Sequence, residues 1–157
     1  MQKISPCLWF EGNAEEAIDY YLRVFEDARI IETLHHTESS PGPRGSVLAV
    51  TIELKGSEIM VLNGGSEFKF TPAVSMFVHC ESQAEIDRYW DMLLDGGQAM
   101  ACGWLTDRFG VTWQIVPARL KSMLQDPDHD KADRTMKALM QMIKLDMKEL
   151  ERAYNGD

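Results

Sequence analysis

A repeat constrains this chain more than any single motif does. Ile18-Asp19-Tyr20-Tyr21 and Ile86-Asp87-Arg88-Tyr89 lie 68 residues apart, and the same offset lays Cys7, Trp9 and Phe10 over Ser75, Phe77 and Val78. In each place a β-rich run leads and an amphipathic helical pattern comes after it. The matched order points to an internal duplication, in which each copy has a helix face that needs a sheet to cover it.

The first copy opens with the apolar run Lys3 to Phe10, turned by Glu11-Gly12-Asn13. Asn13 is the expected cap of the next helix, with Glu15 and Glu16 complementing its N-terminal partial charge. Ala14, Ala17, Ile18, Tyr21, Leu22 and Phe25 recur at helical spacing and define its apolar face. Strands are expected over Arg29 to Thr37, Val47 to Glu53 and Glu58 to Leu62, separated by a mobile loop at Glu38 to Gly45 and a Lys55-Gly56-Ser57 turn. The second copy reads as a strand over Val74 to Cys80, a Ser82 cap, and a helix over Ala84 to Leu94 ended at Gly96-Gly97. Strands over Gln98 to Leu105 and Val111 to Val116 complete it, joined by the turn Asp107-Arg108-Phe109-Gly110.

Beyond Pro117 a short helical piece runs to about Gln125, Asp126 to Asp130 interrupts it, and Lys131 to Tyr154 reads as one helix. Its seam is Met136, Leu139, Met140, Ile143, Met147, Leu150 and Tyr154. Methionines suit an adaptable contact, so the pattern leaves open whether this helix docks on its own module or on a second subunit.

Charge and cysteine usage narrow the partners. Lys and Arg total 16 against 25 Asp and Glu, and the net charge of -9 opposes binding to nucleic acid or an anionic membrane. No apolar run approaches the roughly 20 residues of a membrane span, and MQKISPCLWF lacks a signal-peptide layout, so a cytoplasmic protein is expected. Cys7, Cys80 and Cys102 form no CxxC pair and are expected as reduced thiols.

The opening PCLWFEGNAEEAIDYYLRVF, the triplet Asn63-Gly64-Gly65 and the hairpin CGWLTDRFGVTWQIVP, Cys102 to Pro117, occur in an order and spacing that resembles a known family. It is the PhnB-like branch, labelled 3-demethylubiquinone-9 3-methyltransferase, of the glyoxalase/bleomycin resistance/vicinal oxygen chelate superfamily, and the resemblance covers essentially Ile4 to Tyr154. It implies an α+β fold of two βαβββ modules forming a glyoxalase-like cupped sheet, plus C-terminal helices. Residues 1–157 then form a single glyoxalase-like domain: module one at 1–68, module two at 72–118 and a C-terminal helical extension at 119–157. A homodimer is the usual assembly. The resemblance also implies metal-ligand positions near Pro6 or Cys7, Val61, Ser75 and Gln114. Of these only Gln114 is a reasonable oxygen ligand, so the usual metal site is expected to be lost and no cofactor is expected. The methyltransferase label is not expected to describe this chain, because Asn63-Gly64-Gly65 runs into Ser66 to Phe70 and Pro72 rather than into the helix a cofactor loop requires.

Trp9, Asn63, Cys102, Trp104 and Gln114 are the expected ligand-binding residues. Trp9 and Trp104 offer apolar area and an indole donor, and Gln114 alternates with Trp113 and Ile115 so that its amide projects where the superfamily places metal ligands. Each has a plainer reading: core packing for the tryptophans, an inert buried thiol for Cys102, and an amide satisfying the sheet wall for Gln114. His35, His36 and His79 read as strand-end residues, and Asp128-His129-Asp130 as a solvated helix cap. The chain is therefore expected to bind a small molecule without the usual metal. The alternatives are a metal-dependent isomerase, lyase or dioxygenase with non-standard ligands, and a structural or regulatory dimer.

Overall fold

Each copy of the repeat builds one four-stranded sheet with one helix on it. A computed structural model describes residues 2–157, and the chain divides after Lys69 into two compact units. The first contains β1 (Cys7–Phe10), α1 (Ala14–Val24), β2 (Arg29–His35), β3 (Val47–Leu54) and β4 (Ser57–Asn63), in sheet order β1-β4-β3-β2. β1 runs parallel to β4, and the other pairings are antiparallel. Period-two burial on the strands meets the helical stripe: Leu8, Phe10, Ile52, Ile59 and Val61 are buried, as are Ala14, Ala17, Ile18, Tyr21 and Val24 of α1, which packs on β3 and β4. Lys55 and Gly56, both at positive φ (49° and 82°), close the β3-β4 hairpin in two residues.

One expectation about α1 fails. Asn13 makes no side-chain capping bond; the Ala14 N–H donates instead to Asn63 Oδ1 at 2.9 Å, an acceptor delivered from the end of β4. The Asn63 amide nitrogen donates to Glu15 Oε2 and to the Val47 carbonyl, so this side chain ties the helix start to two strands.

The second unit repeats the topology with β5 (Met76–Cys80), α2 (Gln83–Leu94), β6 (Gln98–Ala99), β7 (Trp104–Thr106) and β8 (Thr112–Pro117), in order β5-β8-β7-β6. Ser82 caps α2 as expected, accepting from the Glu85 N–H, and Ile86, Tyr89, Trp90 and Leu93 form the buried face. The Asp107 to Gly110 turn is held by a buried carboxylate: Asp107 Oδ1 accepts from the Phe109 and Val111 N–H groups, and Oδ2 from Trp113 Nε1 at 2.9 Å.

Two strong sequence patterns are broken by packing. The expected strand Gln98 to Leu105 is interrupted where Cys102 (φ 61°) and Gly103 (φ 82°) turn left-handed. The expected helix Lys131 to Tyr154 is two helices, α4 (His129–Met140) and α5 (Met147–Asn155), preceded by the short α3 (Leu120–Leu124). Both breaks have one cause. The Cys102 and Gly103 N–H groups donate to the Met142 and Ile143 carbonyls at 2.8 and 2.7 Å, which a continuous helix would have used internally. Gln83 of α2 secures the same linker, donating through Nε2 to the Leu145 carbonyl and accepting the Met147 N–H at Oε1. Leu145 is thereby fully buried with Val116, Leu120, Met123, Leu139 and Leu150. The C-terminal helices thus dock on their own module. Met136, Met140 and Ile143, three members of the expected seam, are exposed because that seam assumed an unbroken helix. Asp128 caps α4 as expected. Among the described residues no helix is long and apolar enough to cross a membrane.

Candidate functional site

The outer face of the second sheet carries a row of three side chains fixed by register. Gln114 of β8 lies opposite Phe77 of β5 on one side and opposite Trp104 of β7 on the other, so an amide stands between two aromatic groups. Their strand neighbours Trp113, Ile115 and Leu105 point the other way and are buried. The row lines a cleft of about 420 Å³, with His79 and Val116 in the next row, Cys102 from the left-handed bend, and Leu120, Lys121, Leu124 and Leu139 from the C-terminal helices. The Phe77 and His79 rings stack at a tilt, their centroids 4.7 Å apart. Gln114 Nε2 donates to Ser75 Oγ at 2.8 Å. That bond orients the amide and leaves Oε1 as the acceptor the cleft presents.

The corresponding row of the first unit is apolar. Trp9 lies opposite Leu62, which lies opposite Ala49. Trp9 Nε1 donates to the Gly65 carbonyl at 2.9 Å and its ring meets Phe68 edge-on at 5.0 Å. A Cβ on Gly64 would sit 2.0 Å from Trp9 Cε2, so only glycine fits under the ring. A separate cleft of about 460 Å³ is lined by Trp9, His36, Gly42, Leu62, Asn63 and Glu67 among others. The Glu38 to Gly45 loop is closed at its base, where the His36 N–H donates to the Ser46 carbonyl and the Gly45 N–H to the His36 carbonyl. The five expected residues thus fall in two groups. Cys102, Trp104 and Gln114 share one cleft; Trp9 and Asn63 share the other, with both ends of the Asn63 amide committed to α1 and its surroundings.

The donor set does not fit the superfamily's metal. Val61 faces the buried, helix-covered side of β4, opposite Leu8, and the outer-face residue at that point is Leu62. The expectation was one residue out of register, which in a strand exchanges the two faces. Cys7 is exposed as a residue, though partial desolvation of its thiol raises the pKa; the Ser75 hydroxyl accepts from Gln114. Among the described residues no three His, Cys, Asp or Glu side chains are grouped as a metal would need. A glycine-rich cofactor loop does not fit either: Gly64 is packed under Trp9, its N–H donates to the Phe10 carbonyl, and residues 64–75 contain no helix. Cys80 is fully buried, which with Glu85 pushes its thiol up to about 12, so it offers no nucleophile.

Phe77 was missed as a cleft residue, although the 68-residue offset already places it at the position of Trp9. Leu120, Lys121 and Leu139 carry no local signal of their role, since they reach the cleft only through the docking of the helices.

Comparison with known proteins respects the same boundaries. The family model described as 3-demethylubiquinone-9 3-methyltransferase matches residues 2–116, ending just inside the last strand and short of Tyr154, to which the resemblance was expected to extend. A PhnB protein from Bacillus cereus is 36% identical, with a TM-score of 0.67, over 74% of this chain and 100% of its own. A protein from Pseudomonas aeruginosa is 23% identical (TM-score 0.59) over 72% of this chain and 95% of its own. The fosfomycin resistance protein FosX from Mesorhizobium loti, 12% identical over 80% of this chain and 100% of its own, shares the fold with a TM-score of 0.53. No curated protein matches. The two strand-helix repeats, the hairpin from Cys102 to Pro117 and a match over most of the chain lead to one conclusion: this chain belongs to the PhnB-like family described as 3-demethylubiquinone-9 3-methyltransferase.

Proposed function

We propose that this protein binds a small molecule in the second-unit cleft, against the row Phe77, Gln114 and Trp104, without the divalent metal of its superfamily. The observation that carries this reading is the Gln114 amide, held by Ser75 between two aromatic side chains with one acceptor oxygen uncommitted. Aromatic groups supply contact area and the amide supplies orientation, the division of labour found in small-molecule sites. The reading does not extend the family's methyltransferase description to this chain. A metal-dependent isomerase, lyase or dioxygenase would need anionic or imidazole ligands in numbers the cleft does not supply. Titrating the protein with aromatic and amphipathic metabolites while monitoring tryptophan emission tests the proposal. Saturable quenching that Trp104→Phe removes and Gln114→Ala weakens is expected; no saturable change with any compound would overturn it.

Pairing with a second copy is the accompanying inference. It is favoured by the edge strand β2, where Ile30, Ile31 and Leu34 are 51%, 40% and 43% exposed. Light scattering should give twice the chain mass, reduced to one chain by Ile30→Lys with Leu34→Lys. If Met140→Lys on α4 dissociates the dimer instead, the C-terminal helices are the working surface. The three unpaired thiols support a reducing, cytoplasmic setting.

A further inference from the structure

We infer that the cleft selects an apolar monoanion, a carboxylic acid on an aromatic or hydrocarbon body, and that the C-terminal extension makes the selection. This rests on the reading that the cleft binds a small molecule. The match to the family ends at residue 116, and the Bacillus cereus relative is covered completely by 74% of this chain. The segment beyond β8 is therefore additional to the shared pattern. Yet Leu120, Leu124 and Leu139 from this addition form the wall that faces the sheet row. The sheet supplies Gln114 and the aromatic surface, while the addition decides how wide the opposing wall stands.

The same wall decides charge. In a chain with 25 Asp and Glu and a net charge of -9, no carboxylate lines this cleft. Lys121, one residue after Leu120, does line it, and its ammonium has no ion-pair partner among the described residues, whereas cations elsewhere, such as Arg108, Lys137 and Lys144, are paired. A single unpaired cation beside an apolar surface suits one negative charge on an apolar body. A dianion would meet only one ammonium inside a strongly negative protein, and its second charge would go uncompensated. The cleft volume of about 420 Å³ holds such a molecule; small-molecule sites span roughly 300–1,000 Å³.

The test uses the full chain and three probes of one shape: 1-naphthoate, its neutral primary amide, and 1-naphthyl phosphate. Calorimetry at pH 7.5 should give tighter binding of the carboxylate than of the amide or the phosphate. Lys121→Gln should weaken the carboxylate about fivefold, the scale of one exposed ion pair, and leave the amide unchanged. Raising the salt concentration should weaken the carboxylate in the parent protein and leave the neutral amide unchanged. Leu124→Phe, which narrows the cleft from the added wall, should weaken all three probes. Equal binding of acid and amide, or an unchanged preference in Lys121→Gln, overturns the inference while the cleft remains a binding site. Tighter binding of the phosphate overturns the monoanion assignment. If no probe binds but other metabolites quench Trp104, the inference fails alone; if nothing binds at all, the proposed function fails with it.

Discussion

Gln83→Ala removes a clamp that holds the C-terminal helices. Gln83 is the first residue of α2, where alanine is at least as good a helix former, so the substitution costs nothing in local propensity. It deletes the bonds from Nε2 to the Leu145 carbonyl (3.1 Å) and, within α2, to Asp87 Oδ1 (3.0 Å), and the bond from the Met147 N–H to Oε1 (2.8 Å). Each hydrogen bond contributes a net ~1 kcal/mol, and the site is only partly buried, so water replaces part of the loss. The expected destabilisation is about 2 kcal/mol, or a fall in Tm of about 4–8 °C for a chain of this size. Urea unfolding monitored by tryptophan emission measures it. Amide exchange locates it: Met147, Cys102 and Gly103 should lose protection together, because the latter two donate to Met142 and Ile143 in the linker that Gln83 secures. A loss below about 0.5 kcal/mol, well under one hydrogen bond, with exchange at these amides unchanged, would refute the account of why the helix breaks.

Asp107→Asn should cost about 2–4 kcal/mol in urea unfolding, because one of the three N–H donors that Asp107 accepts, the indole of Trp113, would face an amide that cannot accept from it, inside a buried turn. At pH 8, a thiol reagent should label Cys7 and Cys102 but reach Cys80 only on unfolding. Since the Cys80 thiol holds its proton in the fold to about 12, against an ordinary 9.0, its contribution to stability is complete below pH 9 and is lost as pH rises towards 12; Cys80→Ala should flatten that alkaline decline. Asp126, which accepts the Tyr154 hydroxyl, has its pKa lowered by that bond, so its contribution is present above pH 3.8 and lost in more acid solution; in Tyr154→Phe its carboxyl resonance should titrate at higher pH. Titration with Mn(II), Ni(II) or Zn(II) should give no stoichiometric binding, and one tightly bound ion per chain would contradict the reading of the donor set.

The sequence by itself determined the features that depend on short-range periodicity. The two strand-helix copies, the buried faces of α1 and α2, the Ser82 cap and the Asp107 to Gly110 turn each arise within a dozen residues, where side-chain spacing and backbone preference act directly. Tertiary structure decided whatever needed a partner from far along the chain. Asn63 reaches back 49 residues to cap α1, displacing the local candidate Asn13. The faces of β4 are set by its pairing with β1, where a slip of one residue separates Val61 from Leu62. The helical pattern from Lys131 to Tyr154 gives way because Gln83, Cys102 and Gly103 claim the linker's backbone groups and Leu145 gains a buried place. A regular pattern of apolar residues records the preference of a helix in isolation. It does not record which backbone carbonyls a distant strand will claim, and here that claim is stronger than the preference.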